Sequence, residues 1–187
     1  MIAALINSVP FEFPKKDIFL SVLQIFAASL FLALCSQISM PLYFSPVPLS
    51  GQTFGIMIIG ASMGSRKGLL SVLAYLAEGS LGLPVFACGS SGIMSLLGSC
   101  GGYFLGFLIQ VYLVGWFAER QTTFQITKML PILLLSCLLQ LGLGVLWLSL
   151  FATLESALLM GFYPFLMGET FKSVIVALYL KMKFNLS

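Results

Sequence analysis

Glu169 and Lys172 stand three residues apart in an otherwise apolar stretch. On a helix, residues three apart share a face and can touch. Gly168 precedes them, so the expected helix start puts Glu169 in the first turn, where the helix dipole favours an anion, and Lys172 deeper. An ionisable group in a membrane is costly and usually faces a cavity or a partner. The plain alternative is a structural ion pair that neutralises itself. The functional reading is a polar site for a ligand that carries both charge and hydrogen-bonding groups. Glu78, at the end of another apolar stretch, is a third candidate, equally readable as an acid reaching for the interface. Glu155 reads as a solvated loop residue.

Two loops offer the walls of such a site. Pro-Leu-Tyr-Phe-Ser-Pro-Val-Pro (41–48) and Leu-Pro-Val-Phe-Ala-Cys-Gly-Ser-Ser-Gly (83–92) are rich in Pro, Gly and aromatic residues. Pro stiffens a loop, and Gly lets backbone approach a ligand closely. Tyr43, Phe44 and Phe86 are candidate apolar walls, and Ser90 and Ser91 candidate hydrogen-bond donors. Apolar walls with a few polar groups describe a small-molecule pocket. A tightly packed connector is the alternative.

Other chemistries lack their residues. The chain has no His, which removes His-dependent triads and HExxH metal sites. It has no G-x-x-x-x-G-K-[ST] phosphate loop, so it is not expected to hydrolyse ATP by itself. The four cysteines, Cys35, Cys88, Cys100 and Cys137, form no CxxC pair and read as small apolar filler. A Cys88–Cys100 disulfide on the outer face stays open at this level.

The elements that must hold these groups follow from composition. Of 187 residues, 59% are hydrophobic and only 8% charged, against about 25% charged in a soluble domain. A soluble enzyme, a nucleic-acid binder and a disordered chain are excluded, and an integral membrane protein remains. A helical span needs ~20 apolar residues. The expected architecture is all-α, a single membrane domain over 1–187, with six spans near 17–38, 49–63, 69–81, 102–118, 129–150 and 168–180. Residues 64–68 (Gly-Ser-Arg-Lys-Gly) read as a short basic turn, and 82–102 as a Gly-rich re-entrant or capping loop. No ~10-residue alternating segments suggest a β-barrel. Met1 to Pro14 does not resemble a cleavable signal.

With both termini cytoplasmic, eight of the nine basic residues fall inside: Lys15, Lys16, Arg66, Lys67, Arg120, Lys128, Lys181 and Lys183. That distribution obeys the positive-inside rule. The ninth, Lys172, is the charge that topology leaves unexplained. Ser29 and Ala33 form a small-xxx-small pair on the first span, suited to close helix approach within the fold or to a membrane partner.

Phe44-Ser45-Pro46-Val47-Pro48, Gln52-Thr53, Gly64-Ser65-Arg66-Lys67-Gly68, Tyr75, Gly82-Leu83-Pro84-Val85-Phe86-Ala87, Gly92, Leu97-Gly98, Gly101-Gly102-Tyr103 and Gly168-Glu169-Thr170-Phe171-Lys172 occur in that order. Together this series resembles the BioY family, the biotin-binding S components of energy-coupling factor (ECF) transporters. The resemblance covers about 17–180. It implies six membrane helices with cytoplasmic termini in a bacterial inner membrane, and high-affinity biotin capture from the outer side. It also implies partnership with a membrane coupling protein and two ATPase subunits, or stand-alone transport, with biotin as cargo and no cofactor. Delivery would involve tilting of the whole subunit. Carried onto this chain, Glu169 suits the ureido N–H groups, and Lys172 the carboxylate or the ureido carbonyl. Ser90, Ser91, Gln52 and Tyr75 add polar contacts, Phe44 and Phe86 pack on the bicyclic ring, and Ser29 and Ala33 meet the coupling protein. Three departures stand out: Glu169 replaces the family's Asp, Glu78 replaces an apolar residue, and Ser99-Cys100 replaces Pro-Thr. An S component for another vitamin, and an intramembrane enzyme using Glu169 or Glu78, are the alternatives.

Overall fold

The structure, a computed structural model, describes residues 15–121 and 125–185. The segment 1–14, on which the signal expectation rests, lies outside the described residues. Helix α1 (Lys15–Gln37) leads into a two-stranded hairpin, β1 (Ser39–Leu42) and β2 (Ser45–Ser50). Helix α2 (Gln52–Ser80), a 3-10 turn (Ala87–Gly89) and α3 (Ile93–Leu97) follow. The chain continues through α4 (Gly101–Ala118), α5 (Ile126–Leu148), α6 (Leu154–Gly161) and α7 (Tyr163–Asn185).

Four of these helices are long and apolar enough to cross a membrane: Ile18–Gln37, Gln52–Ser80, Gly101–Ala118 and Ile126–Leu148. Their outward faces carry large apolar side chains. On α1, Phe19, Leu23, Phe26, Leu30 and Leu34 are exposed while Ala28, Ser29, Leu32, Ala33 and Ser36 are buried. One face packs on protein and the other suits lipid, so apolar character runs all round the helix.

Helix α2 is two antiparallel helical segments, 52–63 and 65–80. Gly64 interrupts it at φ 79° and ψ 179°, a conformation that is essentially restricted to glycine. The Gln52 amide donates to the Tyr75 hydroxyl at 2.6 Å, although 23 residues of straight helix would span about 35 Å. A Cβ at Gly68 would lie 3.5 Å from the Gly60 Cα, so the two halves nearly touch near the reversal. The basic turn expected over 64–68 is therefore a single residue: Arg66 and Lys67 already belong to helix. What makes so short a turn workable is Glu119, whose Oε1 accepts from the Ser65 amide at 2.8 Å while Oε2 accepts from the Ser65 hydroxyl at 3.0 Å. This caps the new helix from a neighbouring one.

Two other boundaries differ from expectation. Leu49 and Ser50 belong to β2, so the second helix begins only at Gln52. Helix α7 begins at Tyr163, not at Gly168, because Pro164 sits in its first turn, where a missing N–H costs nothing. Glu169 is thus in the second turn, and the first-turn dipole argument does not hold for it. The loop 81–100 is pinned by Phe86, which is fully buried. Its ring fills the space over Gly79 and packs against Tyr75 and Phe104 at centroid distances of 5.5 and 4.8 Å.

Candidate ligand-binding site

Between the hairpin, the 81–100 loop and the helix ends lies a cavity of about 390 Å³, within the usual size range of small-molecule sites. Pro46, Val47, Phe86, Met94, Tyr103, Phe104, Phe107 and Phe165 give it apolar walls, and Ser50, Gln52, Thr53, Gln140 and Glu169 bring polar groups. The hairpin forms one side because Pro41, Pro46 and Pro48 suit a ribbon whose strands are both edges. The register Ser39↔Ser50 and Leu42↔Ser45 returns the chain at Ser50 to the mouth of α2.

The charge pair is a closed unit. Lys172 Nζ donates to Glu169 Oε1 at 2.8 Å, to the Ser50 carbonyl at 2.6 Å and to Thr53 Oγ1 at 3.0 Å. Thr53 in turn donates to Glu169 Oε1 at 2.8 Å. An ammonium has three N–H donors, so those of Lys172 are all engaged. Glu169 is 4% exposed and lines the cavity, whereas Lys172 does not line it. The acid of the pair borders the cavity, and the ammonium lies behind it. The acid's other oxygen, Oε2, meets the Cys137 thiol, at 3.5 Å, and no other hydrogen-bond donor among the described residues. Since a carboxylate can accept about four hydrogen bonds, Oε2 retains unused capacity.

Behind this pair a hydrogen-bonded chain fixes the wall. Ser50 Oγ donates to Gln52 Oε1 (2.8 Å), Gln52 donates to Tyr75, and Tyr75 donates to the Val85 carbonyl (3.0 Å). The Ser36 hydroxyl also bonds the Val85 carbonyl. The hairpin, both halves of α2, α1 and the loop are thereby joined at the cavity rim.

The sequence candidates separate accordingly. Glu169, Gln52, Phe86 and Ser90 line the cavity, with the Ser90 hydroxyl bonded to the Ala87 carbonyl at 2.9 Å. Lys172 and Tyr75 support lining residues from behind. Ser91 does not line it, and Phe44 sits at the hairpin turn, 57% exposed and away from the cavity. Exposure at a two-residue turn leaves that ring no wall to complete. Ser29 and Ala33 are buried within the fold, and Ser29 Oγ lies 2.6 Å from a carboxylate oxygen of Glu78. Both residues are taken up by internal packing, so they present no face to a partner here. Glu78 is outside the cavity. All four thiols are free: Cys88 Sγ lies 3.5 Å from the Ser39 hydroxyl, and Cys100 Sγ lies 3.7 Å from the Pro46 carbonyl.

Thr53, Cys137 and Gln140 enter the site as residues that sequence reasoning did not select. The available signal was polarity inside otherwise apolar spans: Gln110 and Gln140 are the amides of α4 and α5, both buried. Their close fit depends on glycine, since a Cβ at Gly106 would lie 2.8 Å from Gln140 Cγ.

A mostly helical membrane protein with a polar-floored cavity beneath ordered loops is the architecture of a substrate-capturing transport subunit. The BioY family profile matches residues 8–185, and the chain belongs to that family. Biotin transporter BioY2 of Lactococcus lactis is 33% identical over 150 residues, covering 79% of this chain and 81% of that one. The probable biotin transporter BioY of Pyrococcus horikoshii is 34% identical over 160 residues (82% and 93%). Biotin transporter BioY of Thermotoga maritima is 33% identical over 158 residues (83% and 92%). The crystal structure of the S-component for biotin from an ECF-type ABC transporter superposes with a TM-score of 0.82 at 27% identity, covering 94% of this chain and 98% of that one.

Proposed function

We propose that this protein captures biotin from the outer side of a bacterial inner membrane and serves its uptake as an ECF S component. The observation that carries this is the half-used Glu169 carboxylate, paired with Lys172 at the floor of an apolar cavity. Biotin presents ureido N–H donors that Oε2 can accept, and an apolar bicycle for Phe86, Phe104 and Tyr103. Its valerate carboxylate then points to the mouth, toward Ser90 and the loop amides. The family and the named relatives support the choice of biotin over another vitamin.

In the same proposal the chain crosses the membrane six times, by α1, the two halves of α2, α4, α5 and α7, with both termini cytoplasmic. Arg66, Lys67, Arg120 and Lys128 then gather at the cytoplasmic end and the cavity opens outward, as the positive-inside rule requires. A coupling protein and two ATPase subunits complete the transporter, and the subunit tilts to deliver its cargo. Binding of radiolabelled biotin to the purified protein, competed by unlabelled biotin and by other vitamins, tests the assignment. Saturable binding displaced only by biotin is expected. Displacement by an unrelated vitamin at equal concentration, or recovery of chemically altered biotin, overturns it.

A further inference from the structure

Gln140 is an anomaly in the cavity wall. Its side chain lines the cavity, the residue is 3% exposed, and its Oε1 has no hydrogen-bond partner among the described residues. A buried carboxamide oxygen left without a partner lowers stability, and native folds rarely keep one without a reason. The packing is built around it: Gly106 lies against Gln140, between Tyr103 and Phe107, and any side chain there would collide with it. The contrast with Gln110 is informative. That amide also has an unpaired oxygen, but it lies outside the cavity and donates to Cys137 Sγ at 3.2 Å. Gln140 is one helical turn from Cys137, whose thiol meets Glu169 Oε2. Residues three apart lie on one helix face, and Gln140 and Glu169 both line the cavity.

Their chemistries differ in a useful way. An ionised carboxylate only accepts, whereas a carboxamide donates and accepts side by side. A cyclic urea has an N–H on each side of its carbonyl. One N–H suits Glu169, and the remaining edge, an N–H beside a C=O, is the complement of a carboxamide. We propose that Gln140 is a specificity-determining residue that pairs with this N–H/C=O edge of the ureido ring. The proposal rests on biotin as the ligand.

The experiment measures binding to the purified full-length protein for wild type, Gln140→Met and Gln140→Asn. The ligands are biotin, its thiourea analogue, whose C=S is a poor acceptor, and biotin methyl ester, which lacks the carboxylate. Gln140→Met should bind biotin about tenfold or more weakly, the scale of one lost buried hydrogen-bond pair. That penalty should shrink to within about threefold for the thiourea and persist for the methyl ester. Gln140→Asn should fall between. Without ligand, Gln140→Met should melt at the wild-type temperature or above it, because it removes an unpaired polar group, keeps a side chain of similar length and breaks no hydrogen bond among the described residues.

Biotin affinity within about twofold of wild type in Gln140→Met would overturn the proposal. So would a penalty that vanishes with the methyl ester, which would assign Gln140 to the carboxylate. Lost binding together with a lowered ligand-free melting temperature in both variants would make the residue structural. If the wild type itself binds no biotin, the assignment of biotin fails first, and this proposal falls with it.

Discussion

Two carboxylates, the exposed Glu119 and the buried Glu169, tie the ends of this molecule, and they do so differently. At the Gly64 reversal, Glu119 joins α4 to α2 with both oxygens occupied by the amide and hydroxyl of Ser65. At the cavity, Glu169 joins α7 to α2 through Oε1, while Oε2 meets a thiol and no other donor among the described residues. An acid whose two oxygens both hold Ser65, next to a glycine-only turn, is a fastening. An acid neutralised on one oxygen and underused on the other is a fastening with a vacancy for a ligand donor. In the proposed function, this difference gives structure to one end and binding to the other.

The strongest way to break this contrast is Lys172→Met, which strands Glu169 as an uncompensated buried charge. A loss of about 3–5 kcal/mol of stability is expected, along with biotin binding, measured by thermal unfolding and radiolabelled biotin. The double variant Glu169→Gln/Lys172→Met should regain most of the stability and none of the binding. If it regains both, the pair serves only the fold.

Gly64→Ala probes the other end. It forces a side chain into a glycine-only conformation, and its Cβ would collide with Glu119 Oε1. We expect a cost of about 2–3 kcal/mol in thermal unfolding, with biotin affinity in the folded fraction within about threefold of wild type. Glu119→Ala, which removes the cap without adding strain, should cost about 1–2 kcal/mol, again with affinity preserved. A large affinity loss in either variant would show that the two ends are coupled.

The smallest effect concerns the loop thiols. Burial pushes the Cys100 thiol up to about 11, so at neutral pH it is protonated and a poor nucleophile. Cys88 is exposed. Maleimide should label Cys88 first, and labelling of Cys100 should rise only as the pH climbs toward 11. Because Cys100 lines the cavity, biotin should slow it further. Equal labelling of both at neutral pH would mean that the cavity wall is open at the Cys100 side.

Much of this was legible in the residues. The charge shortage pointed to a membrane, and Lys172, the one cation that the expected topology left over, pointed to Glu169, which lines the cavity. The apolar stretches located the long helices because hydropathy is a property of whole segments. What escaped was local. A single glycine, capped by a distant Glu119, reverses α2, and a cap supplied 54 residues away leaves no local signature. Pro164 reads as a breaker but serves as a helix start. Ser29 and Ala33 have a spacing that fits an internal and an external helix contact equally well, and only packing separates the two. Phe44 and Phe86 are both loop aromatics, yet one lies at a turn and the other under the bundle. Thr53 and Gln140 are uncharged, so a search led by charge passes over them.

The central claim is that the unused acceptor of Glu169, and not that of Glu119, receives the ligand. Titrating radiolabelled biotin into purified wild type, Glu169→Gln/Lys172→Met and Glu119→Gln, all confirmed as folded, tests it most directly. We expect affinity to fall about 100-fold or more in the first variant, the scale of lost bonds to a charged acceptor, and to stay within about threefold in the second. Wild-type affinity in the Glu169→Gln/Lys172→Met protein would contradict the account.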